Sequence, residues 1–138
     1  MTGNGPFPLG DRFAHLGEAG SAKVQPAFAG SEWYEDYVNR TGGEGRLVAL
    51  HDFAEDWTDW EMHPAGDEMV VCTKGAMVLI QQNPDGDIRI PLNAGEYAIN
   101  PAGVWHTADA CGACTALFVT PARDTAHRPR NAETQPKA

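Results

Sequence analysis

Between Arg46 and Thr120 the sequence is divided into short apolar runs, and this pattern constrains the fold more than any other feature of the chain. The runs are five to eight residues long and are rich in Val, Ile, Leu and aromatic residues. Turn-forming stretches such as N-P-D-G, N-A-G and P-A-G separate them. Short strands punctuated in this way are typical of an antiparallel sandwich or barrel. The predicted strands are residues 46–53, 58–63, 68–74, 76–82, 87–92, 96–100, 104–110 and 113–120.

The regions on either side of this pattern differ from it. Residues 1–45 begin with a stretch rich in Gly, Pro and Ala, which predicts an arm that lies along the domain or reaches a partner subunit. Ser31 then precedes acidic residues and two apolar pairs at helical spacing, and Gly42 can end the helix, so one short helix is expected. Residues 46–120 form the predicted barrel. Residues 121–138 are expected to be a loose tail, held near His127 at most.

The composition narrows the class of protein. The chain has 138 residues, enough for one domain with a core. Its net charge of -9, without a cluster of basic residues, argues against nucleic acid and anionic membranes as partners. The sequence contains neither a positively charged start followed by an apolar run nor a stretch of ~20 apolar residues.

Three cysteines, an odd number, favour a reducing cytoplasm over a disulfide framework. Cys111 and Cys114 form a C-G-A-C sequence. The simpler interpretation is a small-residue hairpin turn flanked by cysteines that act as small apolar side chains. Zinc or redox chemistry is the alternative, for which a single CxxC is weak evidence.

The stretch W-E-M-H-P-A-G-D-E, from Trp60 to Glu68, places three polar residues next to a predicted apolar strand. Side chains alternate along a strand, so Glu61 and His63 share a face. The residues P-A-G-D can turn the chain, and Glu68 then starts the returning strand. Because Val70 and Cys72 follow Glu68 on its face, this face is predicted to point inward.

Two buried carboxylates and an imidazole without a partner would cost several kcal/mol. A divalent cation removes that cost because it supplies the missing charge and coordinates the lone pairs. His106, which follows the turn P-A-G-V-W, is the expected additional ligand from a distant strand. Each of these residues alone has an ordinary structural explanation, but their spacing together predicts one shared site.

The spacing of these residues resembles the two sequence motifs of the cupin superfamily. The first motif, G(X)5HXH(X)3-4E(X)6G, is matched from its second histidine onward by His63, Glu68 and Gly75. The second, G(X)5PXG(X)2H(X)3N, is matched by Gly95, Pro101, Gly103 and His106. The resemblance covers roughly residues 46–120 and implies an all-β fold, the antiparallel double-stranded β-helix or jelly-roll barrel. It also implies that His63, Glu68 and His106 are metal ligands.

The chain departs from the motifs at three positions. Glu61 stands where the family has its first ligand histidine, Glu55 replaces the opening glycine, and Ala110 replaces the closing asparagine. Glu61 is therefore either a fourth metal ligand or a catalytic acid or base. Two histidines with carboxylates favour Fe(II) or Mn(II), and Zn(II) also suits these ligands.

Three functions are compatible with this site. A metal-dependent oxygenase acting on a small organic substrate is the first hypothesis. A redox-neutral sugar isomerase, epimerase or lyase is the second, with Glu61 as general base. A non-catalytic small-ligand-binding module is the third, although the chain shows no output domain.

Several residues near the expected ligands are candidates for a substrate pocket. They are Trp60, Trp105 and Tyr97, together with His51 and Phe53, which share one strand face. His127 receives no role from the sequence. A homodimer is expected because single-domain cupins commonly pair, with the aromatic residues of the arm, Phe7, Phe13 and Phe28, as contacts.

Overall fold

The structure, a computed structural model, describes residues 3–130 of the chain. Over these residues the chain forms eleven strands and one helix. They are β1 (Ala14–Leu16), β2 (Ala22–Val24), α1 (Glu32–Thr41), β3 (Arg46–Phe53), β4 (Asp59–Met62), β5 (Glu68–Lys74), β6 (Ala76–Gln81), β7 (Ile88–Asn93), β8 (Tyr97–Asn100), β9 (His106–Ala110), β10 (Cys114–Thr120) and β11 (Ala126–Pro129).

The strands form two antiparallel sheets, with the orders β2-β1-β3-β10-β5-β8 and β11-β4-β9-β6-β7. The chain passes repeatedly from one sheet to the other: β4, β6 and β9 lie in the five-stranded sheet, whereas β5, β8 and β10 lie in the six-stranded one. This crossing pattern is that of a jelly roll, and it confirms the all-β fold class predicted from the sequence. All eight predicted strands are present, with ends that differ by two residues at most.

The main core lies between the two sheets. Alternation along β5 buries Glu68, Val70 and Cys72, while Met69 and Val71 on the opposite face are only partly buried. The buried apolar side chains of both sheets form one cluster, of which Val70, Leu79 and Ala108 are fully buried. The inward prediction for the face of Glu68 is therefore correct, and a carboxylate lies at one end of an apolar interior.

The amino-terminal arm lies along the domain and extends the six-stranded sheet. β1 pairs with β3, and β2 pairs with β1. Phe13, immediately before β1, is fully buried in a second core with Trp33 and Tyr37 of α1. The arm is therefore packed into the domain by its own aromatic residues.

Helix α1 packs against β3 of the six-stranded sheet. It begins after Ser31, whose side chain makes no capping hydrogen bond, and it ends at Gly42 in the left-handed conformation, with a φ of 70°. Apolar residues on one side of the helix, Trp33 and Tyr37, pack against Leu47 and Ala49. The described residues contain no helix of the length and apolarity needed to cross a membrane.

The carboxyl-terminal segment is held to the domain around His127, and it is held there as a strand, which the sequence did not predict. Residues 126–129 form β11, which pairs with β4 at the edge of the five-stranded sheet. The strand is short and includes His127, Arg128 and Pro129, so its sequence lacks the apolar alternation by which the other strands are recognised. Residues 131–138 lie outside the described part of the chain.

The C-G-A-C sequence connects the two sheets. β9 ends at Ala110 and β10 begins at Cys114 in the other sheet, so the link is a crossover between sheets and not a hairpin. Gly112 has a φ of 81°, a conformation that suits glycine. Cys114 is buried, Cys111 is exposed, and both thiols are free.

Candidate metal centre

One row of directly paired residues crosses the five-stranded sheet. Gln81 of β6 pairs with His106 of β9, His106 pairs with Glu61 of β4, and Glu61 pairs with His127 of β11. Residues that are directly paired across antiparallel strands present their side chains on the same face. The row therefore presents two imidazoles, a carboxylate and an amide on one face of the sheet.

His63 and Glu68 complete the cluster. His63 follows the end of β4, and Glu68 opens β5 in the opposite sheet. Nε2 of His63 lies 3.3 Å from Oε2 of Glu68, and Nε2 of His106 lies 3.2 Å from Oε1 of Glu68. The Oε1 atom of Glu61 is slightly more distant, at 3.8 Å from His63 and 3.7 Å from His106. Both sheets thus contribute to one group of four converging side chains.

The two imidazoles are poorly satisfied by the protein alone. Nε2 of His63 and Nε2 of His106 are buried and make no hydrogen bond, because the nearby carboxylate oxygens do not lie in suitable directions. Such buried polar atoms are uncommon and call for a partner. Ligand atoms around one ion with bonds of ~2.1 Å lie about 3.0–3.5 Å apart, close to the spacing of these atoms.

The donor set fits a divalent cation. Donor atoms of Glu61, His63 and His106 all lie within 4.8 Å of one another, and both oxygens of Glu68 contact the same imidazoles. Two imidazoles and two carboxylates are borderline-to-hard ligands that suit Fe(II), Mn(II) and Zn(II). The cluster is therefore a candidate metal site, as the sequence predicted for these residue types.

Neighbouring side chains orient the cluster. Asn100 Nδ2 donates to Oε1 of Glu68 over 3.0 Å, and the Thr120 hydroxyl donates to Oε2 over 2.6 Å. Gln81 donates in turn to the amide oxygen of Asn100. Nδ1 of His63 lies 2.8 Å from the hydroxyl of Thr125. Such outer contacts fix the direction of the ligand atoms before an ion binds.

The carboxylates and imidazoles of the cluster shift one another's pKa values strongly. Burial raises the pKa of Glu68, but its contacts with His106 and His63 outweigh burial and hold that pKa well below the usual range. Burial likewise raises the pKa of Glu61, and the contacts with His106 and His127 nevertheless bring it down to about 2. For His106, burial lowers the pKa, yet the two carboxylates raise it to about 9. A cation that binds Nε2 of His106 would displace a proton from it.

A cavity of about 620 Å³ opens beside the cluster. Its walls come from α1, β3 and β10 as well as from the cluster, and they include Glu61, His63, Glu68 and His127. The remaining lining residues are Ser31, Tyr34, Glu35, Val38, Leu47, Ala49, His51, Phe53, Trp57, Phe118, Thr120, Ala122, Asp124 and Thr125. A cavity of this size accommodates a small organic molecule.

The structure separates the predicted pocket residues into two groups. His51 and Phe53 lie in the cavity wall. Trp60 is buried on the face of β4 opposite to Glu61, and Trp105 stacks under the guanidinium of Arg128 at 4.2 Å. Tyr97 is 59% exposed on the outer face of the six-stranded sheet. These three aromatic residues are outside the cavity wall. Strand alternation directs Trp60 and Tyr97 to other faces, and Trp105 lies in the loop before β9.

Three residues of the site carried no signal in the sequence. His127, to which the sequence assigned no role, lies with Nε2 3.2 Å from Oε2 of Glu61. Tyr34 of α1 lines the cavity with its hydroxyl 3.0 Å from Nε2 of His51, and Thr125 supports His63. The position of His127 follows from the β4–β11 register, and that of Tyr34 from the packing of α1. Neither could be read from motif spacing.

No protein-family model matches the chain, and no characterised protein sequence is similar to it. Solved structures do resemble it. A cupin-2 domain protein from Shewanella frigidimarina is 24% identical over 55% of this chain and 70% of that one, with a TM-score of 0.48. A cupin superfamily protein from Desulfitobacterium hafniense is 21% identical over 54% and 65%, with a TM-score of 0.47.

A third similar structure is hydroxypropylphosphonic acid epoxidase from S. wedmorenis, which is 15% identical with a TM-score of 0.50. The match covers 58% of this chain and spans 45% of the epoxidase. At this identity the likeness is one of fold. Together with the crossing of the two sheets, it assigns to the chain the cupin fold, a jelly-roll barrel. The chain is a cupin-fold protein with a candidate metal centre inside the barrel.

Proposed function

We propose that the protein is a small metal-dependent enzyme, a non-haem dioxygenase that acts on a small organic substrate in the cavity beside the cluster. One observation carries the proposal: two buried imidazole Nε2 atoms without hydrogen bonds face two carboxylates at the wall of a cavity of about 620 Å³. A purely structural cluster would satisfy its own donors and would not need access to a cavity.

Glu61 and the three more deeply buried side chains of the cluster would hold the ion. His63, His106 and Glu68 are at most 5% exposed, and Asn100 and Thr120 fix the carboxylate of Glu68. An Fe(II) or Mn(II) ion held there would supply Lewis acidity and redox chemistry with dioxygen. The chain's own contribution is to fix the ligand directions and to keep water out through the apolar residues around the cavity.

The position of Glu61 favours a second candidate function. Its side chain is 28% exposed, lines the cavity and lies farther from both imidazoles than Glu68 does. If Glu61 does not bind the ion, its carboxylate is available to take a proton from a substrate in the cavity. The protein would then be a redox-neutral isomerase, epimerase or lyase.

Nitric oxide tests the dioxygenase proposal without knowledge of the substrate. Protein loaded anaerobically with Fe(II) should bind nitric oxide and give the EPR signal of an iron–nitrosyl centre, because three or four protein ligands leave positions open on the ion. Fe(II)-loaded protein that shows no such signal would have no position for dioxygen. The dioxygenase proposal would then be wrong, and the redox-neutral function would take its place.

We further propose that the active form is a homodimer, through a surface other than the one expected from the sequence. The arm's Phe13 is fully buried within its own chain, and Phe28 packs on Trp33, Tyr34 and His51. Phe13 is therefore unavailable to a partner chain, and Phe28, although 36% exposed, lies against rings of its own chain. We infer that the dimer contact uses a more extended apolar surface.

The outer face of the six-stranded sheet offers such a surface. Two rows of paired residues cross β8, β5, β10 and β3 there, and neither contains a charged residue. The rows are Ile99, Met69, Val119 and Val48, and Tyr97, Val71, Leu117 and Leu50. A chain with a net charge of -9 repels its copies over most of its surface, so an uncharged, self-complementary face favours a two-fold contact.

A matched pair of isoleucines tests this surface. Ile99→Glu should convert the dimer to a monomer, because it places a charge in the contact, whereas Ile88→Glu on the other sheet should leave the dimer intact. The two side chains are equally exposed, at 43% and 44%. Light scattering after size-exclusion chromatography at micromolar concentration measures the mass. A monomeric wild type, or the same mass for both variants, would contradict the proposal.

A further inference from the structure

The cavity wall has an unusual balance of charge. It contains four carboxylates, those of Glu35, Glu61, Glu68 and Asp124, and no lysine or arginine. Glu61 and Glu68 face the imidazoles of the cluster and are neutralised there by protons or by an ion. Glu35 and Asp124 are exposed acidic groups in the same wall without such partners. The described wall therefore offers an anionic ligand no arginine or lysine to pair with.

The rest of the wall is mostly apolar and aromatic. The Trp57 ring lies 5.8 Å from that of Phe53 and 5.8 Å from that of Phe118. Leu47 and Val38 add aliphatic surface from β3 and α1. Surfaces of this kind bind flat or apolar molecules through area burial and edge contacts.

A hydrogen-bonded pair is the polar feature of this apolar region. The Tyr34 hydroxyl lies 3.0 Å from Nε2 of His51, and both residues line the cavity. Burial, then the charges of Glu61 and Glu68, raise the pKa of Tyr34 to about 12, so the phenol keeps its proton and shares a hydrogen bond with the imidazole. The phenol oxygen can still accept a hydrogen bond from a ligand.

We propose that this cavity binds a mostly apolar molecule of about the size of a substituted aromatic ring, with a hydroxyl or amine group that hydrogen-bonds to Tyr34 and with no negative charge. The inference rests on the proposed function only in taking this cavity as the substrate site. It selects the class of substrate by charge: neutral and cationic molecules are admitted, and carboxylates and phosphonates are disfavoured.

Three probes with one skeleton test the charge selection: 3-phenylpropan-1-ol, 3-phenylpropan-1-amine and 3-phenylpropanoate. Binding is measured by tryptophan fluorescence and ligand-observed NMR, on the protein as purified and after chelator treatment. The second sample removes direct coordination of the carboxylate by a metal. In the chelator-treated protein, the alcohol and the amine should bind about tenfold more tightly than the carboxylate. Equal or tighter binding of the carboxylate, or no binding of any probe, would overturn the inference.

Two substitutions test separately the contribution of the Tyr34 hydrogen bond and the contribution of the acidic cavity wall to probe binding. Tyr34→Phe should weaken binding of the alcohol about 2- to 10-fold, the range for one hydrogen bond, with unchanged thermal unfolding. Glu35→Lys on the exposed side of α1 should strengthen binding of the carboxylate about threefold at low salt and lose this effect at high salt. Unchanged binding in both variants would place the probes outside this cavity and overturn the inference.

The experiments distinguish a failure of the proposed enzyme function from a failure of the proposed substrate class. If the protein takes up no metal but the probes bind in the expected order, the cavity assignment stands and the enzyme proposal fails. If metal and nitric oxide bind but the probes do not, only the substrate class is wrong.

Discussion

Replacing His63 or His106 by alanine should reduce the metal content of the purified protein from about one divalent ion per chain to nearly none. Each imidazole contributes one of the converging Nε2 atoms and is at most 5% exposed, so alanine removes one buried donor atom from the cluster. We expect an affinity loss of at least about 100-fold, since even outer contacts of a metal site are worth 10- to 100-fold. Elemental analysis of freshly purified protein gives the count.

His51→Ala is the matched control for this experiment. His51 is also a cavity histidine, but the structure places it in the Tyr34 pair and not in the cluster, so its loss should leave the metal content near one per chain. Glu61→Ala then reports the role of that carboxylate, because retained metal identifies it as an acid or base and lost metal as a ligand. A wild-type protein that takes up no divalent ion on reconstitution would remove the basis of the enzyme proposal.

Phe13→Ala should lower the free energy of unfolding by about 3–5 kcal/mol, the range for a large buried aromatic residue. Phe13 is 0% exposed, and its ring contacts those of Trp33, Phe28 and His51 at 5.1–5.2 Å. The loss should be measured by chemical denaturation with a single transition, because the arm and the barrel share this core.

Leu16→Ala is the comparison for that measurement. Leu16 is in β1, three residues after Phe13, but is 39% exposed, so its loss should cost about 1 kcal/mol or less. A small effect of Phe13→Ala, or a separate early transition, would show that the arm is an independent appendage. The packing of His51 beside Phe13 also predicts that the variant alters the cavity.

Much of the barrel could be predicted from the sequence, because strands with one apolar face show an alternation of apolar and polar residues. β3 and β5 were predicted to the residue, and both alternate between the core and the outside. β1, β2 and β11 were not predicted, since they are three or four residues long and too short to show a period. Their strand structure comes from pairing with neighbours that only the tertiary fold supplies.

The candidate site also contains residues that could be predicted from the sequence and residues that could not. Glu61, His63 and Glu68 could be grouped from spacing, because a turn and strand alternation bring near neighbours to one face. His106 was added as the ligand expected from a distant strand. Asn100, which orients Glu68, and Tyr34, which faces His51, come from distant segments without any pattern. The aromatic residues Trp60, Trp105 and Tyr97 were expected in the pocket because they are near the ligands in sequence. Proximity along a strand does not decide which face a side chain takes.

The row of paired residues that crosses the five-stranded sheet bears on the first motif, in which this chain lacks the first histidine. Glu61 occupies that histidine's place on β4, and the adjacent strand β11 supplies an imidazole, His127, directly opposite. An imidazole therefore lies one strand away from the position that the motif gives to a histidine, in contact with Glu61 and not with the rest of the cluster. A linear motif cannot include this imidazole, because Glu61 and His127 are 66 positions apart in the chain. Such a neighbour is found only by comparing which residues are paired across the sheet.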